Sequence, residues 1–137
     1  MNSFNRKIQL LILIFLIVFV ITSCNNSGSS DKNIIILTSD NFDQTINKGV
    51  VLVDFWATWC KPCQIQGPIV ADLAGQYKNK LMVGKIDIDQ NRDLAGSYNI
   101  QSIPTLIIFV DGKPVETLVG LRSKEAIEEI INKYLKK

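Results

Sequence analysis

Three hydropathy regimes follow one another along the 137-residue chain. Residues 8–21 (IQLLILIFLIVFVI) are apolar apart from Gln9, and residues 25–33 (NNSGSSDKN) carry no apolar side chain. From Ile34 onward apolar positions recur with a changing period, and each change marks an element. Ile34–Leu37 is a short apolar run, after which Ser39 or Asp40 is placed to cap a brief helix carrying Phe42 and Ile46. Val50–Trp56 is almost continuously apolar, the pattern of a strand covered on both faces. Residues 60 to about 78 set Ile65, Ile69, Leu73 and Tyr77 at four-residue steps, which predicts a helix with that stripe inward. Leu81–Ile88 reads as a strand, Asn91–Tyr98 as a short helix with Leu94 and Tyr98 inward, and Thr105–Val110 as another buried strand. Asp111-Gly112 is a hairpin turn signal ahead of a strand over Val115–Val119. Ser123 caps a last helix with Ile127, Ile130, Ile131, Tyr134 and Leu135 on one side. The order β-α-β-α-β-α-β-β-α predicts an α/β fold, a central mixed sheet flanked by helices and closed by an antiparallel hairpin. No repeat or second linker interrupts residues 34–137, which read as one domain.

Arg6 and Lys7 precede the first apolar run, and no acid occurs before Asp31. A spanning helix needs about 20 apolar residues and a signal-peptide core roughly 7–15, so the run fits the second description. It ends in Ile21-Thr22-Ser23-Cys24, which resembles a bacterial lipobox. The resemblance implies that residues 1–23 are a leader and that Cys24 becomes the first mature residue, thioether-linked to diacylglycerol and N-acylated. An uncleaved signal anchor and a secreted chain with a free thiol are the alternatives. A lone exposed thiol in a secreted chain is a liability, which favours the lipid. Residues 24–33 then form the lipidated Cys and a flexible tether, with a reach of up to roughly 30 Å.

Charge and composition narrow the chemistry. The net charge is +2, from 15 Lys+Arg against 13 Asp+Glu, and no basic run makes an electrostatic case for nucleic acid. Both excess positive charges are Arg6 and Lys7, so the chain from Cys24 onward is neutral. The absence of His removes His-based triads, HExxH zinc sites and imidazole general bases. Three Cys remain, at 24, 60 and 63.

Cys60-Lys61-Pro62-Cys63 stands just after a buried strand, at the start of a helix. Two Cys separated by two residues can close a small-ring disulfide. At a helix N-terminus Cys60 meets partial positive charge, which stabilises its thiolate, the attacking species. That makes Cys60 the nucleophile and Cys63, one turn further in, the resolving thiol. Pro62 suits a first helical turn, where its missing N–H costs nothing. Lys61 adds a cation beside Cys60. A zinc site would need about four ligands and finds no second Cys pair, so no metal and no cofactor are expected. An inert structural disulfide is the remaining alternative to redox chemistry.

The stretch Val53-Asp54-Phe55-Trp56-Ala57-Thr58-Trp59-Cys60-Lys61-Pro62-Cys63 resembles the active-site segment of the thioredoxin family. The resemblance continues through Pro68, Lys85-Ile86-Asp87-Ile88-Asp89, Ile103-Pro104-Thr105, Asp111-Gly112 and Val119-Gly120, and covers about residues 34–137. It implies a thioredoxin fold and a redox disulfide between Cys60 and Cys63. It assigns Asp54 as the proton acceptor from Cys63, with Lys85 on the neighbouring strand tuning Asp54. A buried, unpaired carboxylate is costly and holds a raised pKa, which suits that part. It also makes the Ile103–Pro104 bond cis. Trp59, Lys61, Pro62, Ile103, Pro104 and Gly120 would bind substrate, and Proline's missing N–H leaves the flanking backbone to pair with an extended client strand. Trp56 is expected in the core, Pro68 to kink its helix, and Asp87 and Asp89 to be solvated acids.

The function implied is a membrane-anchored, extracytoplasmic thiol–disulfide oxidoreductase that reduces protein disulfides through a mixed disulfide. Its expected partners are disulfide-bearing clients, a transmembrane thiol electron donor and the membrane itself, through the lipid on Cys24. A monomer in the bacterial cell envelope is expected, facing the periplasm or the exterior. The rivals are a disulfide oxidase or isomerase on the same fold, and a non-catalytic binding module. Ile before Pro104 matches reductive members of the family, whereas Lys61 replaces their usual Gly and favours a more oxidising couple.

Overall fold

Val50–Trp56 (β2) is buried along six of its seven residues, and the domain is assembled around it. The structure is a computed structural model, and it describes residues 33–136; the leader, Cys24 and the tether through Lys32 lie outside the described residues. Leu81–Asp87 (β3) runs parallel to β2, from Val50 opposite Leu81 to Trp56 opposite Asp87. Ile34–Ile36 (β1) runs parallel to the far edge of β3. Thr105–Val110 (β4) is antiparallel to β2, and Lys113–Val119 (β5) is antiparallel to β4. The sheet order is β1-β3-β2-β4-β5. The helices are Phe42–Ile46 (α1), Lys61–Gln76 (α2), Arg92–Ser97 (α3) and Lys124–Leu135 (α4). This is the expected element order and the expected thioredoxin fold, a mixed sheet flanked by helices.

Strand periodicity divides the core in two. On one face Val50, Leu52, Val83, Leu106 and Ile108 meet Val70, Leu73 and Ala74 of α2 and Ile127 and Ile131 of α4. On the other Val51, Val53, Phe55, Ile107 and Phe109 meet Leu37, Phe42 and Ile46, with Leu94 and Tyr98 packed at the edge. Gly84 in β3 leaves room for Leu37, just past β1: a Cβ there would collide with the Leu37 side chain.

Local details differ from the sequence expectation in three places. Neither Ser39 nor Asp40 caps α1. Asn41 stands at its N-terminus, with its side chain turned back to accept from Thr38 N (2.9 Å) and donate to Ile36 O (3.0 Å). The buried face of α2 is Cys63, Gln66, Val70, Ala71, Leu73 and Ala74, while Ile65 is 58% exposed. Four-residue steps drift around a helix of 3.6 residues per turn, so the predicted stripe begins exposed at Ile65, packs partly against the core at Ile69 and is fully buried only at Leu73. β5 starts at Lys113 rather than Val115, because Asp111 and Gly112 have φ of 47° and 82°. Two successive positive φ values make a tight hairpin turn, and pairing resumes at once.

Candidate active site

The chain leaves β2 at Trp56 and turns through Ala57, Thr58 and Trp59 before entering α2. Backbone and side-chain bonds fix that turn: Cys60 N donates to Ala57 O (3.2 Å) and Gln64 Nε2 to Thr58 O (3.1 Å). Cys60 is the N-cap of α2, extended in backbone, and its Sγ accepts from Cys63 N (3.2 Å). Cys60 and Cys63 are joined as a disulfide with Cα atoms 5.2 Å apart. Both are buried, packed on Ala57 with Trp56, Ile88 and Ile103 around them. Lys61 and Pro62 are exposed in the first turn. Cys60 therefore stands where unpaired helix N–H groups concentrate positive charge, with the Lys61 side chain next in sequence.

A second loop meets this turn. The Ile103–Pro104 bond is cis, as the resemblance implies, and Pro104 is buried while Ile103 packs on the disulfide cluster. Gly120 N donates to Pro104 O (2.8 Å), and Gly120 has a φ of 83°, a conformation that side-chain-bearing residues rarely adopt. Thr105 Oγ1 donates to Ser102 O (2.7 Å), holding the loop from its other end. Trp59 is 64% exposed, and Val119 and Leu121 lie exposed on either side of Gly120. Trp59 and Ile103 border the disulfide turn directly, and Gly120 reaches it through Pro104.

Asp54 shares the sheet face of Val50 and Leu52, so its carboxylate points under α2 rather than toward water. It is fully buried, and neither oxygen has a hydrogen-bond partner among the described residues. Burial pushes its pKa up to about 6, against the opposing pull of the Lys85 ammonium. Lys85 is its neighbour in the β2–β3 register and is half-buried. The Lys85 Nζ sits 4.5 Å from the centre of the Trp56 ring. Trp56 is thus not a core residue: with Cys63, Gln64, Gly67, Pro68, Ala71 and Lys85 it lines an open cleft of about 440 Å³. α2 runs unbroken through Pro68, which is exposed.

Three residues read as bland, or not read at all, take part in the architecture. Asp89 accepts from Trp59 Nε1 (2.8 Å) and so fixes the exposed indole beside the disulfide. Asp87 orders the turn that presents Asp89, accepting from Asp89 N (2.9 Å) and Gln90 Nε2 (3.2 Å). Gln66 is fully buried one turn beyond Cys63, and its Oε1 accepts from Arg122 N (2.8 Å), tying α2 to the Gly120 loop. The signal for Gln66 was its polarity inside an apolar helix face; an acid in a turn, such as Asp89, gives none. Among the described residues, no cluster of three or more His, Cys, Asp or Glu side chains is arranged to hold a metal.

Comparison with known proteins matches residues 33–133 to the family model described as Thioredoxin. The chain is 47% identical over 102 residues to the thioredoxin of Staphylococcus haemolyticus, covering 74% of this chain and 98% of that one. It is 48% identical to the thioredoxin of Staphylococcus saprophyticus, with the same 74% and 98% coverage. Among solved structures it resembles a mutant thioredoxin from Halobacterium salinarum NRC-1, with TM-score 0.70 and 38% identity over 80% of this chain and 96% of the other.

Proposed function

The chain belongs to the thioredoxin family, and from that premise we propose that it reduces client disulfides while held by a lipid on Cys24 at the outer side of a bacterial membrane. A thioredoxin-type protein-disulfide oxidoreductase is what the homologues and the Cys pair establish; direction, anchoring and location are the proposal. The observation that carries the chemistry is the Cys60–Cys63 disulfide at the N-terminus of α2, on the same sheet face as the buried Asp54.

In the reduced enzyme the Cys60 thiolate attacks a client disulfide. One Cys60–client S–S bond forms, the client S–S bond breaks, and the first client sulfur leaves as thiolate. Asp54 takes the Cys63 proton, directly or through water. The Cys63 thiolate then attacks the Cys60 sulfur, closes the enzyme disulfide and releases the second client thiolate. Two electrons have passed from enzyme to client. A pKa near the working pH lets one carboxylate accept a proton and give it up again. With no His in the chain, that role falls to Asp54, Lys85 or water. Trp59 and Ile103 would hold the client's apolar side chains, and the backbone beside Pro104 its extended main chain. Because the domain would lie outside the cytoplasm, a transmembrane thiol donor would return the electrons.

Lys61 supports a second reading, net oxidation of clients, since a stabilised thiolate makes the couple more oxidising. Titration in a glutathione buffer separates the two. A potential near that of thioredoxin-type reductants supports reduction, and one at the strongly oxidising end overturns it. Trapping with Cys63→Ser then identifies clients left disulfide-linked to Cys60.

A further inference from the structure

The two ends of the sheet differ in chemistry. β2 and β3 run parallel and deliver the disulfide at their C-terminal ends. At their N-terminal ends a cleft of about 460 Å³ is lined by Asn33, Ile35, Val50, Leu81 and Met82 together with Lys48, Lys78 and Lys80. All three lysines are exposed, and among the described residues none is in an ion pair. Two further lysines belong to this end. Lys113 follows the β4–β5 turn. Lys136 lies one turn beyond Asn132, which bonds the Tyr77 hydroxyl beside Lys78. Acids also stand at this end: Asp111, whose Oδ1 accepts from Gly49 N (2.9 Å), Asp43, which lines a neighbouring hollow with Gly112, and Glu128, whose Oε1 accepts from Gln76 Nε2 (2.6 Å) two residues before Lys78. In a chain that is neutral from Cys24 onward, this is a segregated positive end.

The same end receives the segment from Cys24. β1 is parallel to β3, with Ile34 opposite Val83, so the chain arrives beside the lysines and Asn33 itself lines the cleft. The nine residues between Cys24 and Ile34 span at most roughly 30 Å, which bounds how far this end can stand from lipid attached at Cys24. A seven-residue strand such as β2 is about 23 Å long, so the redox turn lies a domain's length further out.

We propose that the Lys48–Lys78–Lys80 face docks on an anionic phospholipid surface and holds the domain upright, with the Cys60–Cys63 turn facing away from the bilayer. The inference rests on the lipid anchor proposed above. The anchor supplies local concentration, and the lysines supply orientation within about one Debye length, 8 Å at physiological salt, of the headgroups.

The test is amine acylation of the full membrane-extracted chain, reconstituted in vesicles of phosphatidylcholine alone or with phosphatidylglycerol in equal parts. Modification of each lysine is followed by mass spectrometry. Lys48, Lys78 and Lys80 should react at least about threefold more slowly in the anionic vesicles, and high salt should restore them. Lys61, at the other end, should react alike in both. The triple variant Lys48→Glu, Lys78→Glu, Lys80→Glu should stay lipidated and keep its disulfide-reducing activity. Its Lys113 and Lys136 should lose any difference between the two vesicles. Equal rates in both vesicles for a chain lipidated on Cys24 overturn the docking alone. Protection that persists in detergent means a second copy covers the face, and overturns it too. A chain without lipid on Cys24 overturns the anchor and the docking together.

Discussion

Asp54 carries a stability cost that the proposed part as proton acceptor would explain. Its folded pKa of about 6 lies above the ordinary 3.8, so between those values the folded state binds a proton that the unfolded state does not. Stability contributed by this group is therefore present at low pH and lost as pH rises from 3.8 through about 6. The shift is worth about 3 kcal/mol once the carboxylate is ionised. Asp54→Ala should thus gain about 2 kcal/mol at pH 8 relative to its effect at pH 4, where the unfolded carboxylate is already partly ionised, read by denaturant unfolding of the disulfide form. A pH-independent difference would show that the carboxylate is solvated. The catalytic counterpart is Asp54→Asn, which should slow release of the second client thiol at least tenfold at pH 7 and remove a rate step centred near pH 6, seen in single-turnover mixing. Asp54 was legible in the sequence because one acid interrupts an apolar strand six residues before Cys60. Asp89 was not, since nothing in an acidic turn says that its carboxylate will hold the Trp59 indole.

At the scale of elements, the N-terminal turn of α2 holds the redox couple and the packing of Leu37 on Gly84 of β3 braces the frame. Lys61 is an exposed cation in that turn, and an exposed charge pair with the neighbouring thiolate is worth about 0.5–1 kcal/mol. Lys61→Gly should therefore make the potential about 10–20 mV more negative in a glutathione titration, and Lys61→Glu more so. An unchanged potential would leave the helix end as the sole source of thiolate stabilisation. In the frame, Gly84→Ala would drive a methyl group into Leu37, which is fully buried, and should cost about 1–3 kcal/mol by denaturant titration with little change in the redox potential. The strands were readable because burial on both faces leaves near-continuous apolar runs, and the Asp111-Gly112 turn because few residue pairs accept two positive φ values. The inner face of α2 was misread. Cys63 and Gln66 occupy buried positions that an apolar count discards, whereas Ile65 stands exposed one turn from the disulfide.

Across the whole molecule, the cysteine count is the quantity that tests the anchor. The disulfide takes up Cys60 and Cys63 and leaves Cys24 as the only other thiol in the chain. A thioether to diacylglycerol would block that thiol permanently, because reductants cleave S–S bonds and not C–S bonds. The membrane-extracted native chain, denatured and oxidised, should therefore expose no thiol to maleimide, and after reduction it should expose two. An unmodified Cys24 gives one and three instead, whether the chain is a signal anchor or secreted. Intact mass supplies the second measurement: the extracted chain should lack residues 1–23, begin at Cys24 and carry acyl mass, which Cys24→Ser abolishes. A chain that keeps Met1 and a reactive Cys24 overturns the anchor and leaves the oxidoreductase chemistry standing, because every group assigned to that chemistry lies between Asp54 and Gly120. The separation is physical as well as logical. The positive end that receives the tether and the turn that carries the disulfide sit at opposite ends of β2, so the attachment can change without disturbing the reacting sulfurs.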